Sequence, residues 1–169
     1  MSNAKTVFEG EHILVLERNG WQFVERKKGK SAVAVIAMTE NHELVLTEQY
    51  RRPVDRRVID WPAGLVGDED GHSDAAETAR RELEEETGYT CERIELLTDG
   101  PTSPGITSET VSLYRASGVR KTGKGGGVGG EDIQVHLVRV QEVEQWLHRK
   151  ALEGVWVDLK VWCGLHFVV

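Results

Sequence analysis

Nine consecutive residues, Arg81-Glu82-Leu83-Glu84-Glu85-Glu86-Thr87-Gly88-Tyr89, constrain this chain more than any other stretch. A helix turns about 100° per residue, which sets Glu82, Glu85 and Glu86 at i, i+3 and i+4 on one face and turns Glu84 away. Like charges at that spacing repel and destabilise a helix. Two readings of the geometry stay open. The face is a solvated acidic surface, or it holds a hard divalent cation whose oxygen ligands are these carboxylates. Leu83 lies about 100° round the helix, near Ala76, and gives a small apolar stripe for packing on a sheet. The helix is predicted to start at about Ser73, an N-cap residue type, with Asp74 in its first turn. Gly88 ends it.

Strand patterns surround this helix. Residues 12–18 and 21–27 flank Asn19-Gly20, a strong hairpin turn. Residues 31–39 and 43–49 make a second pair around Glu40-Asn41-His42, and 57–61 a short strand stopped by Pro62. Beyond the helix, 92–97 and 109–117 read as strands around a loop at 99–107. Residues 121–130 (KTGKGGGVGG) read as a flexible glycine-rich loop, and 133–140 alternate as a strand. Residues 141–152 and 157–167 look helical, with Trp146, Trp156 and Trp162 as packing residues on these last helices. This order predicts an α+β fold, a mixed β-sheet with flanking helices.

The chain has 169 residues, which suits one structural unit with its own core. Its formal net charge of -7 argues against a nucleic-acid binder. It leaves an anionic small molecule open, because bound metal ions reverse local charge. No apolar run approaches the roughly 20 residues of a membrane helix, and residues 1–10 lack a signal-peptide pattern. No membrane association is expected, and the expected location is cytoplasmic. Cys91 and Cys163 lie far apart in sequence, so neither a zinc site nor a disulfide framework is expected.

The segment from Arg81 to Tyr89 fits the second half of the Nudix box, Arg-Glu-(apolar)-x-Glu-Glu-x-Gly-(apolar), at every fixed position. The chain therefore resembles the Nudix hydrolases. Pro62-Ala63-Gly64-Leu65 looks like the start of the box, with Gly64 three residues further from Arg81 than the family has it. A short insertion within 67–72 is inferred. The family's first box glutamate, which braces the arginine, is replaced by Asp70 or Ser73, depending on the end counted from. Glu77, one turn before Arg81, is expected to act as its i,i+4 partner instead. The resemblance implies a Nudix-like α/β/α sandwich with a mixed β-sheet, plus an N-terminal antiparallel strand pair. Residues 1–30 would form that hairpin region and 31–169 the catalytic domain.

Three further stretches resemble the ADP-ribose pyrophosphatase branch: Glu48-Gln49-Tyr50-Arg51-Arg52-Pro53, Ser103-Pro104-Gly105-Ile106-Thr107-Ser108-Glu109, and Gly130-Glu131-Asp132-Ile133-Gln134-Val135. The resemblance implies that Glu82, Glu85, Glu86 and the Ala63 carbonyl hold Mg²⁺, with Mn²⁺ as the alternative. Arg51 and Arg52 would contact substrate, and their planar forks suit phosphate oxygens. Ser103, Gly105 and Glu109 would also touch substrate. Glu131 is the candidate catalytic base, with Glu85 and Arg81 completing the catalytic set. Some relatives carry the base at the position of Gly129. Trp21 stands where an aromatic stacks on the nucleobase, contributed across a homodimer. Each has a plainer reading: a basic turn, a Pro-Gly turn, an acidic strand start and a core Trp. The implied activity is Mg²⁺-dependent hydrolysis of the pyrophosphate of ADP-ribose or a related nucleoside diphosphate sugar. The alternatives are a dinucleoside polyphosphate or RNA cap as substrate, or a non-catalytic nucleotide-sugar sensor.

Overall fold

The computed structural model describes residues 4–29, 31–67 and 74–168. The first strands are β1 (Lys5–Glu9), β2 (Ile13–Arg18) and β3 (Trp21–Arg26), followed by β4 (Ser31–Thr39), β5 (Glu43–Arg51), β6 (Arg56–Asp60) and β7 (Ala63–Leu65). Helix α1 (Ala75–Thr87) precedes β8 (Tyr89–Thr90), β9 (Arg93–Pro101), β10 (Thr110–Lys121) and β11 (Ile133–Arg139). Helix α2 (Val143–Leu152), β12 (Trp156–Val157) and α3 (Leu159–Leu165) complete the order.

Strand β4 sets the layering. Side chains alternate across a strand, so an apolar run in a central strand feeds two cores. Val33, Val35 and Ala37 pack with Ala79 and Leu83 of α1. Ala34 and Ile36 pack on the other face with Val143 and Leu147 of α2 and Val161 of α3. The main sheet runs β12-β6-β5-β4-β10-β8, with β11 on β5, β7 on β4 and β9 on β10. The pairs β10–β4 and β12–β6 are parallel and the remaining pairs antiparallel, so the sheet is mixed. The expected α/β/α sandwich is therefore present. Trp61 is fully buried and its Nε1 donates to the Lys160 carbonyl at 2.9 Å. Gly164 permits that approach, since a Cβ there would lie 2.4 Å from Trp61 Nε1.

Several elements differ from the sequence reading. The N-terminal strand pair is a three-stranded antiparallel sheet, because β1 adds to β2. Asn19 and Gly20 have φ of 54° and 80°, as a two-residue hairpin turn of this hand requires. Helix α1 is capped by Asp74, whose carboxylate accepts from the Ala76 amide at 3.1 Å. The expected cap Ser73 lies outside the described residues, as does the inferred insertion beyond Gly67. The predicted helix at 157–167 is shorter, because Val157 pairs with Ile59 in β12 and Asp158 caps α3 from Leu159. Trp156 is thus on a strand rather than packed beneath a helix. It is half exposed, with the Arg56 guanidinium 5.5 Å from its ring centroid. Among the described residues no helix is long and apolar enough to cross a membrane.

Candidate active site

The C-terminal half of α1 faces the strand Ala63–Leu65. Pairing of β7 with β4, Ala63 opposite Ala34 and Gly64 opposite Val33, fixes that backbone beside the helix. Glu86 is buried at 6% exposure, and its Oε2 accepts from the Ala63 amide at 3.0 Å. Gly64 lies directly against Glu82: a Cβ at this position would be 2.0 Å from Glu82 Cδ. Arg81 donates to Glu82 Oε1 at 2.9 Å and to Glu85 Oε2 at 3.1 Å. Among the described residues Arg81 pairs with these two carboxylates and not with the expected Glu77. Glu77 is exposed, whereas Glu82 and Glu85 lie in a drier setting where less water competes for the guanidinium.

The fields of these groups overlap. Burial pushes the Glu86 carboxyl up to about 8. Repulsion from Glu82 and Glu131 adds to this, while the Ala63 amide and Arg51 oppose it. Arg51, at the end of β5, also lowers the buried carboxyl of Asp60, which burial nevertheless raises to about 6. The expected residues Glu82, Glu131 and Arg51 therefore all act on Glu86, and Glu85 is joined to Glu82 through Arg81. Arg52 is exposed, in the 3-10 turn Arg52–Val54 that follows β5.

The glycine-rich segment 121–130 is docked, not free. A helix leaves its last carbonyls without internal partners. Here the Gly88 amide takes the Glu84 carbonyl at 2.7 Å, Gly127 takes Glu85 at 3.0 Å, and Gly126 takes Glu86 at 2.8 Å. Lys121 Nζ donates to Thr87 at 2.8 Å, and the Thr122 and Gly123 amides donate to Gly88 at 2.8 and 3.0 Å. The backbone approach is close: a Cβ on Gly125 would lie 2.3 Å from the Thr87 carbonyl carbon. This segment ends at Glu131, whose Oε2 accepts from the Val128 amide at 3.3 Å.

A charged hub beneath this loop went unforeseen. Glu48 is buried, and its carboxylate accepts from Arg57 Nε at 2.7 Å and Lys150 Nζ at 3.0 Å, with His136 Nε2 at 2.9 Å. Arg57 also reaches Asp132 Oδ2 at 2.8 Å. The sequence held a signal for Glu48, since it falls in phase with the buried Leu44 and Leu46 of β5.

The other expected substrate residues form a separate group. Trp21 is 64% exposed, and its Nε1 donates to the Gly105 carbonyl at 3.3 Å. The Ser103 carbonyl accepts from the Ile106 and Thr107 amides, each at 3.0 Å, closing the Pro-Gly turn. Glu109 is paired with Arg26 Nε at 2.6 Å. A groove of about 340 Å³ runs between Arg18, Trp21 and Phe23 on one side and Pro104, Thr107 and Ser108 on the other. Among the described residues no hydrogen bond or ion pair joins this group to the α1 carboxylates.

Residues 28–157 match the model of the NUDIX domain. The chain belongs to the Nudix family. It is 42% identical over 123 residues to the methanol dehydrogenase activator of Bacillus methanolicus, covering 72% of this chain and 64% of that protein. It is 40% identical over 91 residues to the ADP-ribose pyrophosphatase of Bacillus subtilis, covering 53% of this chain and 46% of that protein. The matched part is therefore less than two thirds of either relative. The crystal structure of an ADP compounds hydrolase shares the fold, with a TM-score of 0.63 at 19% identity over 85% of this chain and 80% of that one.

The donor set of this Nudix chain fits a hard divalent cation in its chemistry. Three carboxylates lie on one helix face beside the Ala63 backbone, and buried Glu86 feels two like charges. Among the described residues no three acidic, histidine or cysteine side chains converge on one point. Arg81 instead holds Glu82 and Glu85, so it occupies the face a cation would share.

Proposed function

We propose that this Nudix protein hydrolyses the P–O–P bridge of ADP-ribose or a related nucleoside diphosphate sugar, with Mg²⁺, giving a nucleoside monophosphate and a sugar phosphate. The observation that carries this reading is buried Glu86, held by the Ala63 amide within the fields of Glu82, Glu131 and Arg51. A site with this much negative charge, in which Arg81 is already paired with Glu82 and Glu85, suits a metal-bound phosphate better than a free anion.

Glu82, Glu85, Glu86 and the Ala63 carbonyl would hold the cation. When bound, it would polarise the phosphate and lower the pKa of a coordinated water. Arg51 and Arg52 would orient the phosphoryl oxygens through planar forks. Glu131 would take the proton of the attacking water. A new O–P bond forms as the bridging P–O bond breaks, and the bridging oxygen leaves on one phosphate. Arg81 would brace the carboxylates. Trp21 would stack on the base, in a homodimer, with Ser103, Gly105 and Glu109 shaping that wall.

The test is product analysis with ADP-ribose, GDP-mannose, UDP-glucose, a dinucleoside polyphosphate and dATP, each with Mg²⁺ and again with EDTA. The expected result is metal-dependent cleavage led by ADP-ribose, yielding AMP and ribose 5-phosphate. E86Q is expected to lower the rate about 10²-fold or more, as loss of a group acting on developing charge does. Folded, metal-loaded protein with no turnover on any of them would falsify the proposal.

A further inference from the structure

We infer that Arg57 is a positioning residue, which sets the direction in which Glu131 leaves the sheet. The inference rests on the proposed role of Glu131 as base. Arg57 belongs to β6, whereas Asp132 directly precedes β11. These two strands flank β5 and do not pair with each other: Gln49 of β5 faces Val58 on one side and Ile133 on the other. The Arg57 guanidinium crosses that gap. Its Nε and Nη2 donate to Glu48, to Oε1 at 2.7 Å and to the carbonyl at 3.0 Å, and its Nη1 donates to Asp132 at 2.8 Å.

The anchor below does not depend on Arg57. Glu48 is independently fixed by Lys150 and His136. The partner above is not placed by packing, because the Asp132 side chain is 76% exposed and Arg57 is its only ion-pair partner among the described residues. Among the described residues the Asp132 carboxylate is held by the guanidinium alone, and the backbone beyond it by the pairing of Ile133 with Gln49. Upstream, the loop is fixed where the Gly126 and Gly127 amides meet α1. Between these two points lie Gly129 and Gly130, with positive φ and open space where a Cβ would be. The turn from Val128 to Glu131 closes on itself, with the Glu131 amide donating to the Val128 carbonyl and the Val128 amide to Glu131 Oε2, each at 3.3 Å, so the direction of that turn is set by what holds its two ends. The clamp acts one residue from Glu131. A lysine cannot reproduce it, because three N–H bonds in fixed directions need the planar fork.

The test measures kcat and KM for ADP-ribose at saturating Mg²⁺ in the full chain, for R57Q, R57K, D132N, E131Q and each of R57Q and D132N combined with E131Q. R57Q and D132N are expected to lower kcat about tenfold with KM within about twofold, the pattern of a misplaced catalytic group. R57K should fall between R57Q and the parent. In the E131Q background neither substitution should lower kcat further, since residues acting through one group are not additive. D132N alters an exposed side chain, so it carries the comparison even if R57Q folds poorly. Equal losses in both backgrounds, or a change confined to KM, overturn the positioning role while leaving Glu131 as base. Near-normal kcat in E131Q removes the reading beneath it, and the inference with it.

Discussion

The three atoms nearest to a methyl group on residue 64 all belong to the Glu82 side chain, at 2.0 to 2.5 Å. Gly64 has no positive φ, so G64A adds no backbone strain. It must push Glu82 aside, and that side-chain end is flexible enough to move. We expect G64A to lower kcat about 10²-fold, comparable to losing a group that stabilises developing charge, with little change in melting temperature. A large drop in melting temperature with unchanged kcat per folded molecule would refute the assignment. The face formed by Glu82, Glu85 and Glu86 was legible from helical spacing alone. The contact of Gly64 with Glu82 was not, because it is made by β7 pairing with β4, far away in sequence. Arg81 shows the same limit. Spacing pointed to Glu77, one turn before it, and burial decided for Glu85 and Glu82.

At the scale of elements, the glycine-rich loop is the clearest case of a partner that sequence does not name. Its composition suggested freedom, yet its amides complete the end of α1. Gly125 and Gly129 have similar φ, 69° and 65°, but only Gly125 presses on backbone. Alanine at either site meets a left-handed conformation costing roughly 1–2 kcal/mol. G129A should lose about that much stability. G125A should lose more and should also lower activity, since it lifts the loop off Thr87. Chemical denaturation of both variants checks the contrast, and equal losses would show the docking to be unimportant. The Glu48 hub makes a second prediction. Burial pushes its carboxyl up, but Lys150, Arg57 and His136 together hold it below the ordinary value of 4.5. A lowered folded-state pKa stabilises above the unfolded value, and that stability is lost as pH falls through the folded one. E48Q should therefore cost about 3–5 kcal/mol near neutrality, as breaking a buried pair does. Its deficit should shrink below about pH 4.5, and a pH-independent deficit in urea melts would exclude the charge as its cause.

Across the whole molecule, the layering about the main sheet was written into the two-faced apolar run of β4, and the two cores follow from it. The relation between the two groups of substrate candidates was not, because it depends on docking the N-terminal sheet to the 103–109 turn through Val24 and Ile106. That docking places Trp21 with Gly105 and leaves the α1 carboxylates with Arg51. Trp21 of the N-terminal sheet and Ile106 of the turn are both exposed apolar side chains, as are Val7 and Phe8 of β1. Exposed apolar surface of this kind suits an interface. If the base-stacking wall of one subunit serves the carboxylates of another, the proposed homodimer has composite sites. W21A should then raise KM for ADP-ribose with little change in kcat, whereas E86Q should lower kcat. The two variants damage different halves of a site. Unfolding and refolding them together would create dimers in which one site carries both defects and the other carries neither. Activity at low substrate should then exceed the sum of the two variants refolded separately. A simple sum, with a monomer in sedimentation, would place Trp21 outside the site and return it to an ordinary exposed strand residue.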